Sequence, residues 1–393
     1  MRGKGFALTL LWCLPNAISG QVPDTTLVQG GLYQRPFIFA AGRTAVGGYL
    51  ESNFAWWRSD GIVDGPSFEV RRFNVFLFSA LGSRLRFLSE LEFEHGTEEI
   101  ALETALVDFV ITPSLVLRAG VLLPPIGAFN VNHDGPRYDF VERPLVSTEI
   151  IPATLSEVGF GIHGRLAPPG ATLSYDLYAS NGLGAGIVLN ETGRTHLASG
   201  KGPSLFAEDE NDSPALSGRV AVQLGGWGEL GLSHYRGIYN TWRIEGEKTD
   251  DPRWVGLSAL DVTAAFGSVQ LRGEVARASV DLPAELQEVL GDRQWGFYLD
   301  AILPLWKPRL AALPDAKVDL GLRLEQVDYN VGRFASTGLR RFDDRRAAVI
   351  AVAFRPASGT VFKLNYRLER ERDLFGNPVQ RSAALQLGVA TYF

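Results

Sequence analysis

The stretch RLRFLSELEFEH at 84–95 puts Leu85, Phe87, Leu91 and Phe93 on one parity and Arg84, Arg86, Glu90, Glu92 and Glu94 on the other, with Leu88 and Ser89 as exceptions. A period of two is the signature of a β-strand whose faces differ in chemistry. Here one face is hydrocarbon and the other is ionic, which a sandwich of two soluble sheets rarely needs. The pattern recurs along the chain, in segments that begin near residues 44, 66, 84, 99, 114, 156, 171, 215, 227, 252, 267, 293, 314, 344, 359 and 380. Most run about ten residues or more, long enough for a tilted strand to cross the hydrocarbon of a bilayer. Beyond the N-terminal leader no apolar stretch is long enough for a spanning helix. A membrane offers backbone groups no water, so only helices or a closed barrel can cross it. The expected fold is therefore all-β: an antiparallel up-and-down transmembrane barrel of about 16 strands.

The connections point the same way. Those after even-numbered segments are mostly tight, as in LGSR at 81–84, TPS at 112–114, PPGA at 168–171 and GGWG at 225–228. Those after odd-numbered segments are mostly long, notably 124–155, 182–214, 237–251, 280–292 and 330–343. Short turns at one end and long loops at the other are the asymmetry of outer-membrane barrels, with turns in the periplasm and loops outside. KPRLAALPDAK, after the twelfth segment, breaks the rule and raises the question of a misplaced boundary. The last segment, RSAALQLGVATYF, keeps its alternation to the terminal Phe393, as expected of a strand that closes against the first and is engaged by the barrel-assembly machinery. Trp56, Trp57, Trp227, Trp254 and Trp306 lie near strand ends, where interfacial girdles of aromatic residues form.

The N-terminus carries Arg2 and Lys4 before an apolar run and then Ala17, Ser19 and Gly20, the layout of a secretory signal peptide over 1–20. A periplasmic segment over 21–43 and a barrel over 44–393 complete the division. Cys13, the single cysteine, lies in the signal segment, so the exported chain has no disulfide to rely on. With 38 Lys plus Arg against 44 Asp plus Glu, the charge balance argues against a nucleic-acid partner held by a basic surface.

Parity assigns the inward row. It contains Arg84, Arg86, Arg118, Arg165, Arg219, Arg272, Arg323, Lys363 and Arg367, with Glu90, Asp108, Glu157, Asp176, Glu274, Asp319, Glu325 and Glu369. The second segment could present either Arg71 or Arg72. Unpaired ions in a dry interior are costly, so a lumen this polar is expected to be wet, and about 16 strands leave room for a channel. Upward strands place arginines low and glutamates high, which predicts an acidic outer vestibule above a basic lower zone. The loop at 124–155 is too long and too apolar to stand free in water. Folded inward, it would narrow the pore, with Asp134, Arg137, Glu142 and Arg143 at the constriction.

The runs GGYLESNFAW, SFEVRRFNVFL, LRAGVLLPPIGAFN and VERPLVSTEIIPATLSEVGFGIHG together resemble the phosphate-selective porin O and P-like family, most clearly over about 44–165. The resemblance implies a sixteen-stranded, trimeric outer-membrane barrel that passes small hydrophilic solutes or ions by diffusion, surrounded by outer-membrane lipid and narrowed by its third loop. Phosphate selectivity is not implied. The characterised members line their bottleneck with lysine and arginine, whereas loop 124–155 holds Arg137 and Arg143 against Asp134, Asp139, Glu142 and Glu149. The expected function is thus a general or weakly ion-selective porin without cofactor or bound metal. The alternatives are a barrel enzyme of the lipase or protease type, or a structural or adhesive barrel. Ser233 with His234 is the nearest approach to a nucleophile and base, but strand neighbours point to opposite faces. Glu208 to Asp212 could attract calcium but reads more simply as a solvated loop.

Overall fold

A computed structural model describes residues 43–393 together with 32, 34–36 and 39–41. The expected signal peptide over 1–20 and most of the expected periplasmic segment over 21–43 lie outside the described residues. One antiparallel sheet holds eighteen strands, two of which, Phe39–Ala41 and Ile62–Val63, are short flaps paired with the strand Thr44–Ser59. The other sixteen are β1 (Thr44–Ser59), β2 (Ser67–Ala80), β3 (Leu85–Glu94), β4 (Glu99–Thr112), β5 (Leu115–Leu122), β6 (Glu157–Leu166), β7 (Ala171–Ser180), β8 (Ala215–Leu224), β9 (Gly228–Ile238), β10 (Trp254–Phe266), β11 (Val269–Val280), β12 (Arg293–Trp306), β13 (Lys317–Asp328), β14 (Asp344–Ala357), β15 (Thr360–Arg372) and β16 (Gln380–Tyr392). Each pairs with its neighbours in sequence, and β16 returns to β1 from Tyr49↔Tyr392 to Ser59↔Ser382. Closure leaves the barrel without a free edge, which satisfies the ladder groups that lipid could not. The connection 307–316 after β12 is a long turn, not a misplaced boundary, and Leu310 and Leu313 form a bridge within it.

The two faces separate as alternation requires. Phe73, Leu77, Leu91, Phe160, Leu177, Leu232, Leu260, Leu324, Ile350, Leu368 and Leu387 are exposed on the outside. Trp56, Trp227, Trp254 and Trp306 are exposed as well. Trp57 is the exception among the expected girdle residues: as the strand neighbour of Trp56 it turns inward and lines a cavity at the long-loop end.

Two bulges explain where parity misleads. In β2, Arg72 pairs with Glu51 and Val70 with Ser52, so Arg71 is the extra residue. The bulge changes the inward parity from one side of the break to the other. Arg72 is buried and Arg71 lines the same inner cavity as Trp57, so both arginines face the lumen. In β4, Glu103 is the extra residue between Leu102, opposite Leu91, and Thr104, opposite Glu90, and it too is buried within.

The connection 123–156, here L3, and the connection 181–214, here L4, supply apolar side chains to a cluster inside the wall. Ile126, Leu145, Val146, Ile150, Ile151 and Leu155 of L3 and Leu183, Ile187 and Leu197 of L4 pack with Tyr235, Val255, Leu257, Ala276, Ala278, Tyr298 and Val327 of β9 to β13. Each large aliphatic buried in this way contributes about 1.5–3 kcal/mol relative to exposure. The small residues Ala259, Ala276, Ala278 and Ala347 on the wall leave the room that the loops fill.

The seam depends on Gly48. Its N–H donates to the Phe393 carbonyl and its carbonyl accepts from the Phe393 N–H, both at 3.0 Å, while the Phe393 ring stacks on Phe73 with centroids 5.3 Å apart. A Cβ at residue 48 would lie 2.1 Å from the Asn74 carbonyl oxygen and 2.6 Å from the Phe393 ring. Gly48→Val is expected to strain the seam by about 1–3 kcal/mol and to lower the temperature at which the folded barrel loses its compact gel mobility. Gly65→Ala, where nothing lies within 4 Å, is expected to leave that temperature unchanged.

Candidate functional site: the lumen and its loop

L3 meets inward-facing residues of the wall, and a cavity lies toward each end of the barrel from it. Toward the long-loop end lies a cavity of about 430 Å³ whose charged lining is five arginines (Arg71, Arg72, Arg143, Arg345 and Arg367) and five glutamates (Glu92, Glu94, Glu103, Glu142 and Glu149). Toward the short-turn end lies a cavity of about 690 Å³, lined by Arg137, Arg272, Lys317 and Arg355 against Asp139 and Asp319. A space of about 10 Å³ shares Glu142 and Arg143 with the upper cavity and Phe129 and Tyr138 with the lower one; Glu51, His133, Phe140, Arg323 and Lys363 also line it. That volume is about the room taken by a single water. The lower zone is basic, as the direction of the strands predicts. The upper vestibule is balanced and not acidic, because Arg71, Arg72 and Arg345 join the glutamates there.

The loop is held by polar groups of the wall on nearly every side. Gly127 N–H donates to Ser233 Oγ at 3.0 Å, and Phe129 N–H and Ser147 Oγ donate to the Glu274 carboxylate. Leu145 N–H donates to Glu325 Oε2 at 2.8 Å and Val141 N–H to Asn365 Oδ1 at 2.7 Å. Arg355 pairs with Asp139 at 2.6 Å, Arg323 Nη1 donates to the Glu142 carbonyl, and Lys363 Nζ to the Gly135 carbonyl. Gly127 adopts a φ of +66°, and a Cβ there would sit 2.2 Å from Glu274 Oε2. Only glycine fits both demands.

On the opposite side L3 meets the described part of the N-terminal segment. Arg35 is fully buried; its guanidinium bonds Asp134 at 2.7 Å and Glu90 at 2.8 Å and lies 4.1 Å above the Phe76 ring. Burial works against the charge of Asp134, but Arg35, with Arg137 and His133, outweighs it and holds the carboxyl well below the ordinary carboxylate range. His133, a loop residue outside the strands, likewise keeps its proton against burial because Glu103 and Glu90 surround it, and its pKa is pushed up to about 10. His196, at the L4 end of this arrangement, goes the other way: burial lowers it despite Glu149.

The inward row expected from parity is spent on pairs more than on water. Arg118 forks onto Asp108 and reaches the Tyr178 hydroxyl; Arg219 bonds Asp261 and Glu229; Arg323 forks onto Asp300. Arg367 bridges Glu325 and Glu369, and Lys363 pairs with Glu51 at 3.3 Å. Glu157 accepts from Tyr235 and Ser180, and Glu90 from Arg35 and Asn74. Arg118, Arg219, Arg323, Lys363, Arg367, Glu90 and Glu157 are all buried. Fixed partners thus satisfy the ions wherever two rows of opposite charge meet, and other charged groups line the two cavities. Arg86, Arg165 and Arg272 stay half-buried on the inner face, with Arg272 at the lower cavity, whereas Arg84 sits in the exposed turn before β3. At the loop, Glu142 and Arg143 line the narrow space, Arg137 lines the lower cavity and donates to the Tyr392 hydroxyl, and Asp134 is sealed beneath Arg35.

Sequence reading passed over Arg35, Glu51, Glu103, His133, Arg345 and Arg355. The bulge in β4 takes Glu103 out of the even row, and nothing in alternation reports on loop or N-terminal residues. Ser233 is buried and serves Gly127, while its neighbour His234 is exposed and bonds Ser258, so the two do not meet. In AEDENDS, Asp209 accepts from the backbone N–H of Asn211 and Ser213 and Glu210 from Ser204, a self-bonded turn.

Solved structures share this architecture. The anion-selective porin of Comamonas acidovorans matches with a TM-score of 0.54 at 12% identity, over 89% of this chain and 99% of that one. The outer membrane channel DcaP of Acinetobacter baumannii matches at 0.55 and 11%, over 91% and 100%, and OmpF of Salmonella typhi in complex with daunomycin at 0.57 and 10%, over 91% and 100%. At such identities the likeness is one of fold, that of bacterial outer-membrane porins. No family model matches the chain. An uncharacterized protein of Aquifex aeolicus, strain VF5, is 31% identical over 369 residues, spanning 86% of this chain and 78% of that protein. The chain belongs to that protein's family. For this family member, Arg35→Ala is expected to strand Glu90 and Asp134 without their shared partner, costing about 3–5 kcal/mol. The check is urea unfolding in detergent, with faster proteolysis within L3 as the companion readout.

Proposed function

We propose that the chain is a passive diffusion pore of the bacterial outer membrane, a homotrimer that admits small hydrophilic solutes or ions and favours anions weakly. The observation that carries this reading is the pair of cavities toward opposite ends of the lumen, with a small space between them whose charged wall has the cations His133, Arg143, Arg323 and Lys363 against the carboxylates Glu51 and Glu142. Close charges at a narrow point weigh most on a passing ion, because little water lies between them to screen the field. The basic lower cavity acts in the same direction. The apolar outer face and the porin fold support residence in the outer membrane, and the resemblance to phosphate-selective porin O and P-like proteins accords with the trimer.

The pore is proposed to do no chemistry: Ser233 and His234, the pair that the sequence offers as nucleophile and base, lie on opposite faces of β9. Planar-bilayer recording with purified protein tests the reading: open steps are expected, with a reversal potential in a KCl gradient on the anion side. Lys363→Ala combined with Arg355→Ala is expected to move that potential toward zero or past it. Phe140→Ala, which removes the ring under Arg323 at 4.2 Å, is expected to raise conductance. A protein that stays silent in bilayers while hydrolysing lipid or peptide would return the choice to a barrel enzyme.

A further inference from the structure

Glu90 on β3, Glu103 at the bulge of β4 and His133 in L3 bring three ligand atoms to within 4.8 Å of one another, all from buried residues. His133 Nδ1 faces the Asn130 carbonyl at 2.8 Å, which leaves Nε2 directed at Glu103 Oε2, 2.8 Å away, and at Glu90 Oε1, 3.7 Å away. A backbone carbonyl on one ring nitrogen and carboxylates before the other is the arrangement that orients a metal-binding imidazole. Arg35 occupies Glu90 Oε2, so Oε1 is the atom left facing the histidine.

A second observation is independent of these three. Asn74 is fully buried and its amide nitrogen donates to Glu90 Oε1 and Glu92 Oε2 at 2.8 and 2.9 Å, yet its Oδ1 has no hydrogen-bond partner. Half a turn of that amide would present the orphan oxygen to the cluster in place of the nitrogen. Thr104, opposite Glu90 in the ladder, is also fully buried with an unpartnered hydroxyl. Buried polar atoms left without partners call for an explanation, and two of them flanking a Glu, Glu, His set supply the further oxygen donors a cation would need.

We propose that Glu90, Glu103 and His133 bind a divalent cation of the zinc class, with Asn74 Oδ1 or Thr104 Oγ1 as a further donor. One imidazole nitrogen with carboxylate oxygens suits zinc-like ions better than magnesium or calcium, which favour all-oxygen shells. As a metal ligand the imidazole must be neutral, so a proton leaves His133 as the cation enters. The ion has a route: Glu103 and Glu92 line the upper cavity, and His133 lines the narrow space beneath it. Once bound, it ties β3 and β4 to L3 on the side away from the apolar cluster.

The test uses full-length protein folded in detergent, stripped with chelator and titrated with Zn²⁺ by calorimetry, then with Co²⁺ by visible absorption. About one equivalent is expected, with release of protons to buffer, and no comparable heat with Mg²⁺. Glu103→Gln and His133→Ala are each expected to weaken Zn²⁺ binding by about tenfold or more. Folding of each variant is read from heat-dependent gel mobility; if His133→Ala does not fold, the near-isosteric Glu103→Gln decides. Absence of binding to the wild-type protein overturns the proposal, and so does Zn²⁺ affinity unchanged in the folded variants, which would assign the ion to the surface histidines.

Discussion

Every backbone N–H and C=O in this wall has to find its partner in another strand, because the apolar belt around it faces a medium that offers none. From that constraint follow the even ladder of sixteen strands and the return of β16 onto β1. The place of Phe393 follows too: it extends the ladder through Gly48 and packs against Phe73.

Turning hydrocarbon outward forces ions inward, and the interior deals with them by pairing. A buried pair contributes little net stability compared with apolar packing of the same volume, since desolvation offsets most of the attraction, but removing one partner is severe. The networks around Arg118, Arg219, Arg323 and Arg367 therefore act chiefly to specify one arrangement of wall and loop. L3 is held by both kinds of force at once. Its aliphatic residues fill the space left by wall alanines over β9 to β13, and its backbone and charged groups meet Glu274, Glu325, Asn365 and Arg355. The polar contacts on the far side come from Arg35, Glu90 and Glu103.

Much of the fold was legible because alternation and turn length are local properties. The sixteen expected starts fall within three residues of the observed strands, from Thr44 through Lys317 to Gln380. The undecided choice between Arg71 and Arg72 was a real feature of the chain, a bulge that sends both inward. What alternation reports is a side of the sheet, and it is silent on partners. It placed Arg118 and Arg219 inside without naming their partners: Asp108 faces Arg118 across the β4–β5 hairpin, and Asp261 lies on β10, two strands from Arg219. The same limit applies to Trp57, assigned to the rim by its position near a strand end although its parity was inward. Arg35 and His133 had no period to reveal them, since neither lies on a strand.

Arg35 lies ahead of β1 in the chain, yet its guanidinium stands between a carboxylate of β3 and one of L3, deep within the wall. One side chain thereby fastens the approach to the first strand, the wall and the loop together, so a change at this single position is felt in all three places at once.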